Sequence, residues 1–475
     1  MTNSSCHQVK ILSEKDNGRN ICKKNFLGLY TDGKKAPTLV RDVTETKVKI
    51  RGARGKGSYK VVQSVSNKLE IQDHYPVVAQ PSGEYVTHMT PSGSCGKDIA
   101  KEIVGVVKER NVNLRVLGMD GCSTNTGIHK GVFRCVEVEL NQAVQHVVCL
   151  LHCNELFFRH IFEEVDGVTL GPDRLEGPVG RTLGEDIWYE PVVEFKAVEG
   201  RMPLVPDFVL KDLSRDQKLA YRWGHAVQSG HVPDDLAGQT IGPLCHSRWL
   251  TRGVRTLAKF ARTKKPTKKF QRIVSFILNF YFPGWFMVKM KPHIQDGARN
   301  LQFLVDLSRS LPAEDQATVR RVMNDNSHFA HQENVSIACL SDDDPLIRKQ
   351  GVEYILKARG EFKEDEDVRK FIPPEVNFAS ERFCNLIDLE TAEKWEPPVT
   401  KDLSDEVILS ALDQPLILDP YPNNTQAVEQ MVRVVTEVAP QRVGYEGRHR
   451  LIVQKLKSRK LVGSFNSKMQ DAVFT

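Results

Sequence analysis

The chain has 475 residues, 40% hydrophobic and 27% charged, with ten cysteines and a formal charge of +6. That length exceeds one ordinary core and implies two or three folded units, and the composition is that of a soluble globular protein. The cysteines, at 6, 22, 95, 122, 135, 149, 153, 245, 339 and 384, show no framework spacing, which favours free thiols in a reducing compartment, nucleus or cytoplasm.

Residues 1–25 read as a polar tail without an apolar signal core. Phe26 to Thr31 reads as a strand that ends at Asp32 and a turn. The stretch 47–60, "KVKIRGARGKGSYK", is basic without an acidic residue, and its glycines predict a loop or hairpin. "NKLEIQDHYPVVAQ" and "GEYVTHMT" predict two strands joined at the turn 81–83. Ile99, Ile103, Val106 and Val107 share one face of a helix over 96–111. "LRVLGMD" reads as a strand, a helix is preferred after Gly127, and 145–151 is the next strand. "HCNELFFRHIFEEVDG" is then helical.

The stretch 167–205 is loop-like, and about 205–360 reads as almost entirely helical, with capping-box spacing at Ser214 and Gln217. Helices fit 251–262, 267–281, 297–310, 313–323 and 344–358. The apolar run 273–288 is interrupted by Ser275, Asn279, Pro283 and Gly284. It predicts a buried helix followed by a turn, and no membrane span. A charged linker at 360–370 precedes a restarted extended pattern, and an amphipathic helix over 425–438 precedes a basic tail. The expected fold class is α/β, a mixed-sheet core with a large all-α insertion. Its expected parts are a tail (1–25), a first core part (26–165), a linker and helical insertion (166–370), a return segment of the core (371–420), and a last helix with a basic tail (421–475).

Four groups of residues could carry chemistry. Asp32 and Asp120 each follow an apolar run and precede glycine. An Asp at the exposed end of a buried strand is rigidly held, and two on adjacent strands could share magnesium or manganese. Asp-Gly is also simply a good turn dipeptide. Cys149, His152 and Cys153 have metal-like spacing and could meet Cys245 and His246, but buried thiols beside a helix start explain them as well, and zinc is not expected. The stretch 248–272 holds ten Lys or Arg and no acidic residue, with aromatics interleaved. Arg248, Trp249, Arg252, Arg255, Lys264, Lys265, Lys268 and Lys269 are the candidate DNA contacts. The alternatives are a solvated helix face and, for Trp249, a core anchor. Finally, "DGCSTNTG" is similar to the phosphate loop of sugar kinases and actin-like ATPases, where it lies in a hairpin between two strands.

Taken in order, these positions resemble the catalytic domain of hAT-type DNA transposases, and more closely a group of transposon-derived arthropod proteins sharing "DG…NTG…CLLH.NEL…SRWLT". The resemblance spans roughly 26–400. Asp32 ends the first strand, Asp120 ends the fourth with Asn125 just after, "CLLHCNEL" falls 29 positions beyond Asp120, and "SRWLT" supplies Arg248 and Trp249. "NFASERF" is similar to the family's Ser-Glu-Arg-x-Phe signature and nominates Glu381 as third carboxylate, with Glu396 and Glu375 as competitors. The family has an RNase H-like fold, and its last acidic residue lies on a helix after the insertion. The resemblance implies a metal-dependent DNA endonuclease and strand transferase, or a catalytically inactive DNA- or protein-binding scaffold of the same ancestry. DNA is the implied partner, self-association is allowed, and the nucleus or cytoplasm is the expected location.

Overall fold

The computed structural model describes residues 28–50, 58–242, 248–360, 368–390 and 396–459. The expected tail, positions 51–57 of the expected loop or hairpin, Cys245 and His246, most of the expected charged linker and the chain beyond 459 lie outside these residues.

The architecture is mixed α/β. Six strands form the sheet: β1 (Gly28–Thr31), β2 (Lys34–Ile50), β3 (Ser58–Gln80), β4 (Glu84–Met89), β5 (Val116–Met119) and β6 (Gln145–Val148). The order is β2-β3-β1-β5-β6, with β4 also paired to β3. β1 runs antiparallel to β3 and parallel to β5, and β5 runs parallel to β6. β3 serves two settings. Its inner end, Tyr75–Gln80, lies between β1 and β4, while its outer part pairs with β2 from His74 to Ser58 as a long hairpin arm.

β1, β5 and β6 are buried at every residue, as expected of strands covered on both faces. Alternation divides their side chains between two layers. Leu29, Leu117 and Met119 meet Ile99 and Ile103 of α1 (Gly96–Arg110) and Phe133 and Val136 of α2 (Val132–Leu140). Tyr30, Val116 and Val147 point the other way, toward α3 (Leu150–Asp166) and the helical block. α1 stops at Asn111, whose left-handed φ of 51° closes the last turn.

The helical block contains α4 (Arg215–Ser229), α5 (Arg248–Phe260), α6 (Lys268–Met290), α7 (Gly297–Ser308), α8 (Ala313–Asn326), α9 (Gln332–Leu340) and α10 (Pro345–Gly360). The capping box at α4 forms, with the Ser214 N–H donating to Gln217 Oε1 at 3.2 Å. α9 escapes sequence reading because all nine of its residues are buried, which erases the one-sided apolar period of a surface helix. The run 273–288 forms the buried helix expected, but the turn at Pro283 does not occur. A π-helical stretch, Ile277–Tyr281, carries the helix into Pro283, and such a wide turn accommodates a residue that has no N–H to donate. By length and composition α6 could cross a membrane, yet 72% of its apolar window is buried inside the protein, including Phe276, Phe280, Trp285 and Phe286.

The return to the sheet falls later than the sequence suggests. Residues 371–390 contribute no strand. Val376, Cys384, Leu386 and Ile387 pack into the helical block instead. The element that comes back is α11 (Gln426–Val438), which lies on β3 and β2, with α12 (Tyr445–Ser458) packed against it. The amphipathic helix expected over 425–438 is therefore present, and the basic tail after it begins as a helix.

Candidate functional site

The site grows from two parallel strand ends. Tyr30 of β1 is in register with Gly118 of β5. Two residues further on, Asp32 and Asp120 are each the first position past their strand, so the two carboxylates emerge side by side. Gly118 permits this strand pairing over an aromatic, because a Cβ there would sit 2.5 Å from the Tyr30 ring. Gly33 serves similarly beside Tyr75, whose ring would meet an added Cβ at 2.3 Å.

Local hydrogen bonds hold both acids. The Gly33 N–H donates to Asp32 Oδ1 at 2.8 Å. Asp120 Oδ1 accepts from the Cys122 N–H at 3.4 Å and from the side-chain amide of the buried Asn125. The "DGCSTNTG" segment is thus a carboxylate holder. It turns into a short helix, Ser123–Thr126, and then into α2. The expected strand–strand hairpin of a kinase-like phosphate loop is not formed, which removes the main support for that reading.

A third acid lies within electrostatic reach. Burial pushes the Asp32 carboxyl up to about 8, reinforced first by the negative charge of Asp120 and then by that of Glu429, against the opposing Gly33 N–H and Lys34. Glu429 stands on α11, whose start is tied to the sheet by three bonds. The Tyr30 hydroxyl donates to Pro422 O at 2.5 Å, the Leu150 N–H to Asn423 O at 3.0 Å, and the Thr425 N–H to Cys149 Sγ at 3.4 Å. Cys149 also feels the charge of Glu429. His152, one turn into α3, packs over Gly121, where an added Cβ would lie 3.0 Å from the ring. Tyr75 closes another side. Its hydroxyl is driven well above the usual tyrosine range by burial and by the charges of Asp73, Cys122, Asp120 and Asp32.

Several expected site residues are placed elsewhere. Glu381 is exposed in a turn on the helical block, where its neighbour Arg382 pairs with Asp344 at 3.0 Å and Ser380 O accepts from Gln302 of α7 at 2.7 Å. Glu375 is exposed, and Glu396 pairs with Lys401 at 2.9 Å. The charge beside the Asp pair is Glu429, in a helix that sequence reading singled out only for its amphipathic face. Glu429 is the polar interruption of an otherwise buried turn, Val428 and Gln430 being buried on either side.

The basic stretch divides in two. Trp249 is 6% exposed and stands edge-on to Phe158 at 5.7 Å, a core anchor and not a stacking platform. The Arg252 guanidinium is buried and donates to the carbonyls of Pro172, Leu183 (2.9 Å) and Asp173 (3.3 Å). Arg255 donates to Leu183 O and Gly242 O. These groups knit the loop at 172–183 to α5 and are turned away from any external phosphate, so the expectation that they contact DNA is corrected. Arg248 opens α5. Lys264, Lys265, Lys268 and Lys269 are exposed around the turn between α5 and α6 and keep their availability.

Burial pushes the Cys149 thiol up to about 11 and the Cys153 thiol up to about 12, so both are protonated near neutral pH, the opposite of an activated nucleophile. Among the described residues no three His, Cys, Asp or Glu side chains are gathered closely enough to hold a metal as they stand.

One consequence concerns pH. Asp32 binds its proton more tightly in the folded chain, near 8, than at its ordinary value of 3.8. Its protonation therefore stabilises the fold fully below about 4, and that contribution is lost progressively as pH rises through 8. Asp32→Asn, which cannot ionise, is expected to raise the melting temperature at pH 8 in chelator. The gain should shrink toward pH 4, and a scan showing an equal gain at both pH values would mean that the gain does not come from the buried charge.

Comparison with protein-family models, with curated proteins and with solved structures finds no match to the chain.

Proposed function

We propose that this is a transposase-derived protein with an RNase H-like core that acts on DNA phosphodiesters, and that Asp32, Asp120 and Glu429 form its reaction centre. The observation that carries the reading is the side-by-side emergence of Asp32 and Asp120 from adjacent parallel strands. Three features support it. The order β4-β3-β1-β5-β6, an antiparallel trio followed by two parallel strands, is the topology an RNase H-like core requires. A large helical block separates this sheet from α11. Glu429 stands on a helix after that block, where the hAT-type pattern puts its last acidic residue.

The donor set fits magnesium or manganese. A divalent cation would relieve the burial and the neighbouring negative charge that raise the proton affinity of Asp32, and oxygen donors with room for water suit these ions. When bound, such ions supply an activated water and stabilise the leaving oxygen. The chain's own part is to fix the acids. Asn125 orients Asp120, the Gly33 amide orients Asp32, and the three bonds at the start of α11 bring up Glu429. Lys264, Lys265, Lys268 and Lys269 are exposed, and this reading gives them the phosphate backbone. A DNA substrate implies a nuclear site of action.

The second reading is a DNA- or protein-binding scaffold without catalysis. The absence of a gathered triplet of acids among the described residues favours it. A nicking assay separates the two. Under the catalytic reading, supercoiled DNA is cut in magnesium or manganese, and Asp120→Ala abolishes cutting while retaining salt-sensitive binding. Binding without any metal-dependent cutting by the wild type would establish the scaffold, and no binding at low salt would reject DNA as the partner.

A further inference from the structure

The arm formed by β2 and β3 has two unlike faces. Residues opposite one another in an antiparallel pair share a face. The pairs Pro37–Ile71, Leu39–Leu69, Arg41–Asn67, Val43–Val65, Glu45–Gln63 and Lys47–Val61, with Tyr59 beyond them, therefore line one side. Ile71, Leu69, Val65 and Tyr59 are 61–66% exposed on it. The other side is dominated by Thr, Ser, Asp, Glu and Lys. At its base this second side is covered, with Ala36, Thr38 and His74 buried and the Leu39 N–H bonded to Ala439 O at the end of α11. On the first side Leu39 is half-buried, and among the described residues Val43, Tyr59, Val61, Val65, Leu69 and Ile71 are exposed. A lone two-stranded ribbon is marginal in water, and exposed apolar pairs, here Leu39–Leu69 and Val43–Val65 set between the polar pairs Arg41–Asn67 and Glu45–Gln63, mark a contact surface.

The pattern of the stripe identifies the occupant. On β3 it reads Tyr59, Val61, Gln63, Val65, Asn67, Leu69, Ile71, which is symmetric in character about Val65. On β2 the charges flanking Val43 are opposite, Arg41 toward the base and Glu45 toward the tip. We propose that this face docks on the same face of a second copy of the chain, about a twofold axis across the ribbon through the Val43–Val65 pair. The axis places Val65 on the partner copy's Val65, Gln63 on its Asn67, Val61 on its Leu69, and Tyr59 on its Ile71. Arg41 of each copy then faces Glu45 of the other, and the stem of Lys47 lies over Leu39. An isologous contact must be self-complementary in this way. Arg41, Lys47, Gln63 and Asn67 also put donors on this face, so nucleic acid is the competing occupant that the test below separates. Thirteen residues span about 40 Å and two strands about 10 Å, a footprint of roughly 400 Å² per copy. That is half a standard interface, so the dimer is weak and concentration-dependent, with a dissociation constant of micromolar order. The inference does not rest on the reaction proposed above.

Sedimentation equilibrium on the full chain tests it over roughly 1–100 μM, the span that brackets so small an interface. The wild type is expected to pass from monomer to dimer. Val65→Asp, Arg41→Glu and Glu45→Arg are each expected to weaken association more than about tenfold, because each buries or opposes like charge at the axis. The decisive arm mixes the two charge variants. Arg41→Glu carries two acids and Glu45→Arg two bases, so neither pairs with itself, while an equimolar mixture forms a heterodimer at wild-type strength. Recovery in the mixture also shows that both variants are folded. A monomeric wild type, or a mixture that stays monomeric, overturns the proposal. So does an unchanged mass with lowered DNA affinity, which would give the arm to nucleic acid.

Discussion

Glu429→Gln is expected to cost more cleavage activity than the about 10–100-fold lost with an outer-shell partner of a metal site, whereas Glu381→Gln leaves cleavage unchanged. The two substitutions remove the same charge, so the contrast rests on position alone. Glu429 bears on Asp32 through space, while Glu381 is exposed in a turn beside the Arg382–Asp344 pair. A second readout does not need activity. Glu429 raises the proton affinity of Asp32, so its neutralisation lowers the pKa of Asp32 from about 8 toward the carboxylate range. Burial and Asp120 remain, and the fall is therefore partial. A titration of the Asp32 carboxyl by NMR in chelator would show it. Loss of cleavage with Glu381→Gln, and none with Glu429→Gln, would return the third position to the Ser-Glu-Arg signature.

The second large effect is on stability. Trp249→Ala is expected to destabilise the chain by about 3–5 kcal/mol, the cost of emptying a buried indole site. Arg252→Ala removes charged donors from three inward-facing carbonyls and should cost about 3 kcal/mol. Denaturant unfolding measures both. The four exposed lysines supply the opposite control. Replacing Lys264, Lys265, Lys268 and Lys269 by Gln leaves the midpoint nearly unchanged. It also flattens the salt dependence of DNA binding by as much as about 3–4 units of slope if each lysine meets one phosphate of a duplex. If Trp249→Ala proves fully stable yet loses DNA binding, the indole belongs to the interface after all.

Much of the sheet was legible because short range decides it. Apolar runs, a Pro-Ser-Gly turn at 81–83 and the amphipathic face of α1 mark their elements directly, and the Asp positions follow from where those runs end. Two other kinds of feature are hidden. One depends on what packs outside an element. α9 is buried all round and has no period, and the guanidiniums of Arg252 and Arg255 look like a solvated basic face until the loop at 172–183 is folded over them. The other depends on distant chain. Nothing near Glu429 distinguishes it from Glu437 or Glu446 as a surface acid. Its place beside Asp32 comes from Tyr30, Leu150 and Cys149 gripping the start of α11. The "CLLH" stretch supplies two of those three grips, a holding role that its metal-like spacing conceals.

The grip of Tyr30 on Pro422 spans 392 positions. At the usual pace of synthesis, about 5–20 residues per second, the first strand waits roughly 20–80 s on the ribosome before its partner segment exists. Throughout that interval the sheet face destined for α11 is bare and the acids beside it are incomplete. A chain stopped between about 360 and 421 therefore has the helices of its helical block and no finished centre. Whatever the protein does at Asp32 and Asp120, a nascent copy cannot do it.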